Sequence, residues 1–259
     1  MSYNVRPCPD VPAVPGTWAR RAGHARRRSA ASTDGLGSRR TAFHGRRHLI
    51  ASDKVQSWAY TEEFNSESEP IRDAHDRAEQ FGVAAVSAGV GATLRLLTAT
   101  MAARHVAEIG TGTGVSGLWL LEGMAPDGVL TTIEVEVEHQ RAAKEAFAAA
   151  GIASTRTRTI SGRALDVLPR LADDAYDLAF VDGDPSEAPD YADQAIRMLR
   201  SGGAIVINQA LWHDRVADPA RRDEDTVTMR ELGKQIRQDE RLIPTLLPVG
   251  GGLLVAVKR

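Results

Sequence analysis

Cysteine is nearly absent. The 259 residues hold one, Cys8, so the chain can close no disulfide within itself and build no cysteine metal cluster. Long apolar runs are missing as well. No window approaches the roughly 18 apolar residues that a membrane-spanning helix needs, so no membrane partner is expected. The scarcity of cysteine fits a reducing compartment, and a cytoplasmic protein is the expectation. Lysine is scarce, with four residues (54, 144, 234 and 258) against 28 arginines, the bias expected of GC-rich coding DNA. What is there includes a hydrophobic fraction of 42%, ordinary for a globular chain, and a length that permits one α/β domain with extensions.

Net charge is −2 but unevenly spread. Residues 1–50 hold ten Arg and two Asp, which is +8 and leaves −10 on the remainder. Pro7, Pro9, Pro12 and Pro15 precede arginine runs at 26–28, 39–40 and 46–47, and apolar periodicity is absent. Such a segment buries too little surface to offset its chain entropy. Residues 1–52 are therefore predicted to be a disordered Arg/Pro-rich tail, and 53–259 a folded domain. Three readings of the tail compete. It could neutralise nucleic-acid phosphates. It could be a targeting peptide, although it has no apolar segment for secretion. It could be an extension without function, since upstream GC-rich DNA read in frame gives Arg, Ala, Gly and Pro. The composition favours the last, and nucleic acid is not expected as a partner.

The folded part is organised around His105–Gly117. A short apolar run, His105 to Ile109, reads as a buried parallel strand. Gly110, Gly112 and Gly114 follow at alternate positions, and an apolar helical segment runs from Val115 to Met124. Strand, glycine turn and helix open a nucleotide-binding βαβ unit, whose free N–H groups hold a carboxylate or a phosphate. Gly112, Gly114 and Gly117 also spell the dinucleotide fingerprint G-x-G-x-x-G. Glu108 shifts the balance, because a carboxylate ending the first strand repels pyrophosphate and suits a cationic amino group. The alternative is a strand-end residue facing water.

Upstream, helices are expected within Ser52–Gln80 and over Ala92–Met101, with Phe81–Val90 as a loop. The first two would cap the cofactor cleft or pack on a partner subunit, with Trp58 and Tyr60 as packing residues. Downstream, Val129–Glu134 reads as the second strand, and Glu134 is placed to accept hydrogen bonds from ribose hydroxyls. A helix follows over His139–Ala150, then a strand over Arg156–Ile160. The turn Ser161–Ala164 suits an adenine edge. Tyr176–Asp184 is a fourth strand and its exit, with Asp182 and Asp184 where open α/β sheets bind ligands. A helix over Tyr191–Arg200, a strand over Ala204–Asn208 and a helix over Val227–Glu240 come next. Leu242–Leu247 and Leu253–Val257 close the chain as a hairpin.

With Glu108–Ser116, the Pro126–Gly128 turn, Tyr176–Asp184, Leu199–Gly203 and Ala210–Trp212 in view, residues from about 55 to 259 resemble the bacterial O-methyltransferases that depend on S-adenosylmethionine (SAM). That family includes the catechol and caffeoyl-CoA O-methyltransferases. The resemblance implies an α/β, Rossmann-like methyltransferase fold: a seven-stranded, mostly parallel sheet with a C-terminal antiparallel hairpin and N-terminal capping helices. It implies transfer of a methyl group from SAM to a hydroxyl of a small-molecule acceptor, and a homodimer. By the same resemblance Val86 lies against the cofactor and Glu108 near its amino group. The Gly110-Thr111 backbone, the Gly112 and Gly114 turn and the Ser116 hydroxyl hold the carboxylate end. Glu134 takes the ribose, Ala164 the adenine and Asp184 the sulfonium end.

The departures concern the chemistry. The family binds a divalent ion with an Asp at the fourth strand and an Asp-Asn pair after the fifth. Here Asp182 stands, but the pair reads Asn208-Gln209. A hard cation relies on carboxylate charge, so no metal ligands are assigned and a weakly metal-dependent or metal-independent enzyme is expected. Pro185 stands where the family has a Lys after the second Asp. Asp182 and His213 are the candidate catalytic bases, and the loops 185–190 and 212–225 the candidate acceptor pocket. Three other functions compete: a SAM-binding protein that has lost catalysis and acts as a sensor or partner subunit, an NAD-dependent oxidoreductase, and a nucleic-acid methyltransferase using the basic tail.

Overall fold

The computed structural model describes residues 54–259, and the tail predicted over 1–52 lies outside them. A helix over residues 54–63 (α1) is followed by α2 (Glu69–Phe81) and α3 (Ala88–Thr100). Then β1 (His105–Ile109), α4 (Val115–Gly123), β2 (Val129–Glu134), α5 (Val137–Ala149), β3 (Thr157–Ser161) and α6 (Ala164–Val167) alternate. The chain continues through β4 (Tyr176–Val181), α7 (Ala188–Met198), β5 (Leu199–Ile207), α8 (Glu224–Gln238), β6 (Leu242–Leu247) and β7 (Leu253–Lys258).

The seven strands order as β3-β2-β1-β4-β5-β7-β6. β3, β2, β1, β4 and β5 pair in parallel, and β7 is antiparallel to both β5 and β6. This is the expected sheet, hairpin included. Parallel strands need helical crossovers, which cover both faces and let the central strands be apolar throughout. Accordingly Val106 to Ile109 are all buried. One face packs on α2 to α5 through Leu94, Trp119, Leu130 and Phe180. The other packs on α6, α7 and α8 through Leu168, Ile196, Ile205 and Met229. The chain reverses its direction of travel across the sheet between β1 and β4. A crevice opens there at the strand C-termini, which is where such sheets take ligands.

Several boundaries differ from the sequence expectation. α3 starts at Ala88, with the Ser87 hydroxyl capping it by accepting from the Val90 N–H at 3.4 Å. The glycines of this turn disguised it. Gly91 is required by packing, because a Cβ there would stand 2.2 Å from Trp119 Nε1. β5 starts at Leu199, earlier than expected, and leaves Asn208 just past its end. Trp58 and Tyr60 are not packing residues within this domain: they are 48% and 67% exposed. α1 is held instead by Glu62, whose carboxylate accepts from Gly89 N–H at 2.8 Å and from Gly250 N–H at 3.3 Å.

Candidate active site

The glycine turn sits on β1 and is fixed by its neighbour β4. Gly110 adopts φ +89°, and a Cβ there would lie 2.4 Å from the Asp182 carbonyl oxygen. Only glycine lets these two strand exits touch. Gly114 (φ +95°) starts α4 and packs on Ala143 of α5. Around the turn lies a cavity of about 500 Å³. Val86, Gly110, Thr111, Gly112 and Ser116 form one side of it, Glu134 and Ala164 the far end, and Asp182 and Asp184 the end nearest β4.

Three predicted site residues are not on that wall. Gly114 lies behind the turn as a packing residue. Glu108 is fully buried beneath the turn. Ser116 Oγ donates to its Oε1 and Thr132 Oγ1 to its Oε2, both at 2.6 Å. Thr132 has spent its proton, so the 2.5 Å contact between the Thr111 and Thr132 hydroxyls is a bond donated by Thr111. Burial pushes the Glu108 carboxyl up to about 7 against these donors, with Asp182 and Glu134 adding repulsion. The third is His213. It is exposed and lies against the Trp212 ring, 5.0 Å between centroids. Trp212, His213 and Asp214 all have left-handed φ (43°, 53° and 61°), and His213 lines neither the cofactor cavity nor the small cavity beside Asp182.

The remaining carboxylates have distinct partners. Glu134 accepts from the Gly112 N–H at 2.8 Å and from the Glu136 N–H at 3.0 Å, which joins the glycine turn to the end of β2. Asp184 accepts from the Ser186 N–H and hydroxyl, at 2.8 and 2.7 Å. Asp182 is half-buried, and Asn208 Nδ2 donates to its Oδ1 at 2.9 Å. Burial raises the Asp182 carboxyl to about 6, and the Asn208 bond limits the rise. The other end of that amide, Asn208 Oδ1, is buried without a hydrogen-bond partner among the described residues. A small cavity of about 30 Å³ opens between Asp182, Asn208, Gln209 and Trp212, roomy enough for one water.

On the wall the structure also joins two segments that the sequence marked separately, the turn 161–164 and the loop 185–190. Tyr191 donates its hydroxyl to Glu187, and Arg163 donates to the other Glu187 oxygen at 2.6 Å. Arg163 follows β3 and Glu187 follows β4, so the pair ties together two strand exits that are not neighbours in the sheet. The spacing of Glu187 and Tyr191 was the one available signal, because residues four apart share a helical face.

The comparisons agree with this geometry. The O-methyltransferase family matches residues 69–259. A relative from Mycobacterium ulcerans that carries the O-methyltransferase name is 54% identical over 200 residues, covering 77% of this chain and 89% of its own. Among solved structures, a Corynebacterium glutamicum protein superimposes with a TM-score of 0.74 at 35% identity, over 80% of this chain and 97% of that one. TomG of Streptomyces achromogenes, an O-methyltransferase of tomaymycin synthesis solved with SAM, gives 0.71 at 29% identity, over 78% and 96%. A doubly covered sheet with its crevice between β1 and β4, a glycine turn above a buried glutamate, and these relatives together show that the chain belongs to the O-methyltransferase family.

Proposed function

We propose that this protein transfers the methyl group of SAM to a hydroxyl of a small-molecule acceptor, and does so without a divalent cation. The cavity fits SAM. It offers the N–H groups of the glycine turn and the α4 N-terminus to a carboxylate, and carboxylates at Glu134 and Asp184 to ribose hydroxyls and a sulfonium centre. SAM supplies an activated methyl group, and the protein aligns it and keeps the site dry. Glu108 acts from below by orienting Ser116 and Thr132, since its own oxygens do not reach the cavity. Ala164 and Val86 provide apolar contact for the adenine and the methionine chain.

The observation that carries the metal-free reading is the bond from Asn208 to Asp182. A divalent ion at this position needs carboxylate oxygens free to coordinate it. One Asp182 oxygen is held by an amide N–H, and Gln209 turns its side chain against Gly251. Among the described residues no group of three or more His, Cys, Asp or Glu is placed to hold an ion. The donor set does not fit a divalent metal. Asp182, raised to about 6, is ionised near neutral pH and basic enough to take a proton. Bound SAM would supply the methyl group to the acceptor oxygen, and the free Asp182 oxygen would take the proton that the acceptor hydroxyl gives up.

The exposed Val55, Trp58, Tyr60 and Phe64 of the α1 region support a homodimer as the working form. The function is tested by SAM turnover against a panel of hydroxylated small molecules, with and without EDTA. Turnover abolished by EDTA and restored by Mg²⁺ contradicts the metal-free reading. Tight S-adenosylhomocysteine binding with no turnover of any acceptor favours the sensor function instead.

A further inference from the structure

Most arginines among the described residues hold a carboxylate or carbonyl partner, as Arg163, Arg197 and Arg200 do. Arg158 and Arg170 hold none there. Both line a cleft of about 480 Å³ at the N-terminal ends of the strands, the opposite edge of the sheet from the cofactor cavity. His105 of β1, Thr131 of β2 and Tyr176 of β4 share its wall. The register explains the grouping. Thr131 pairs with Arg158, and His105 with Val129 on the intervening strand, so alternation sends these side chains to one face. That face is left open because the crossover after β3 is short: α6 has four residues and the turn Leu168–Arg170 three.

The polar groups of the cleft wall are all able to donate: two guanidiniums, an imidazole and two hydroxyls, with no carboxylate among the lining residues. The acids next to it are already engaged. Asp173 pairs with Arg197, Asp174 with Lys258, and Asp177 with Arg200 and with the N–H groups of Arg104 and His105. Unpaired arginines in a concave site on an otherwise acidic domain call for an oxyanion. The guanidinium fork matches phosphoryl oxygens with two parallel bonds. The basic groups gather in one cleft instead of running along a stripe, which suits a compact anion over a nucleic-acid backbone.

We propose that this cleft is a second binding site, remote from the methyl-transfer cavity, that takes a compact phosphoryl dianion, either inorganic phosphate or the phosphate of a small phosphomonoester. Arg158 and Arg170 grip the phosphoryl oxygens, and His105, Thr131 and Tyr176 complete the donor ring. The site stands independently of the metal-free reading of the catalytic centre.

Isothermal calorimetry on the full chain at low ionic strength tests it, with inorganic phosphate and glycerol 3-phosphate as separate titrants. Saturable binding is expected for the wild type, weakened roughly tenfold by Arg158→Ala or Arg170→Ala and lost in the double variant. It should persist with S-adenosylhomocysteine saturating the cofactor cavity, and that ligand's own affinity should be unchanged in every variant. Stronger binding of glycerol 3-phosphate assigns the site to an ester, and equal binding assigns it to phosphate itself. Should the double variant lose its fold, the single variants carry the comparison, since both residues are exposed. Binding that is equal in wild type and variants overturns the proposal, because the arginines of the tail then bind the anion. So does the absence of wild-type binding, or tighter binding of a short single-stranded DNA that the same substitutions abolish.

Discussion

Asn208 donates its side-chain amide to Asp182 at 2.9 Å, so the carboxylate at the end of β4 is already bonded to a neutral partner from the end of β5. An amide in this place does part of what a cation does. It stabilises the ionised carboxylate and fixes its orientation, but it adds no charge. Asn208→Asp exchanges that donor for a second carboxylate. The two acids then face each other across a small cavity, and the variant should be destabilised by about 1–3 kcal/mol without metal. It should gain affinity for Mn²⁺ or Mg²⁺, seen as a metal-dependent rise in melting temperature that the wild type does not show. A variant with no metal response contradicts the view that this one side chain decides the site's preference.

The Asp182 role leads to a separate expectation. Asp182→Asn keeps the shape and removes the proposed proton acceptor. Turnover should fall by roughly 10²–10⁴-fold, the usual range for loss of a general base, while affinity for S-adenosylhomocysteine changes little. Raising the pH should restore part of the rate with phenolic acceptors, which then ionise in solution. Single-turnover rates across pH 6 to about 10 read this directly. Unchanged turnover removes Asp182 from the mechanism.

The fold was legible in the sequence because its signals are local. A short apolar run, a glycine that must turn and a following helix announce β1, the loop and α4 within thirteen residues, His105 to Gly117. Asp182 was legible for the same reason, as the end of the apolar strand β4. The direction of Glu108 was not. Its partners lie 8 and 24 residues away, on α4 and β2, and only the folded sheet brings their hydroxyls beneath the turn. The exposure of His213 was not legible either, because it sits in a turn of three successive left-handed residues, and non-glycine residues give little warning of that conformation. Arg163 and Glu187 fell within two loops the sequence marked, but their contact did not show, since it depends on two strand exits that are not adjacent.

Gly110 has no room for a side chain beside the Asp182 backbone. Gly110→Ala adds a Cβ 2.4 Å from the Asp182 carbonyl oxygen and holds alanine at φ +89°. Neither the clash nor the strain can relax without moving β1 away from β4. The variant should lose about 3 kcal/mol or more of stability, and with it measurable cofactor binding. Chemical denaturation checks the first and calorimetry with S-adenosylhomocysteine the second. A stable variant that still binds the cofactor shows that the β1–β4 contact is dispensable.

Glu108 makes stability depend on pH, and the sign follows from its burial. Its carboxyl stands at about 7 in the folded chain against an ordinary value of 4.5. Between those values the folded state keeps a proton that the unfolded state has released. Stability from this group is therefore complete below pH 4.5 and declines as pH rises to about 7, where the folded protein must carry a buried charge. The loss across that window is on the order of 3 kcal/mol. Asp182, raised to about 6, pushes in the same direction at lower pH, so wild type alone does not isolate the effect. Glu108→Gln does. The glutamine cannot ionise, and the difference in unfolding free energy between the two proteins should shift in favour of the variant from pH 5 to about 8. Denaturant titrations at both values measure it, and parallel behaviour of the two proteins shows that Glu108 holds an ordinary carboxyl. The same term links to the cofactor. A cationic amino group bound above the turn favours the ionised form, so SAM should bind more tightly, and release a proton from Glu108, as pH rises through about 7. Comparing the heat of binding in buffers of different ionisation enthalpy counts that proton, and the glutamine variant should release none from this site.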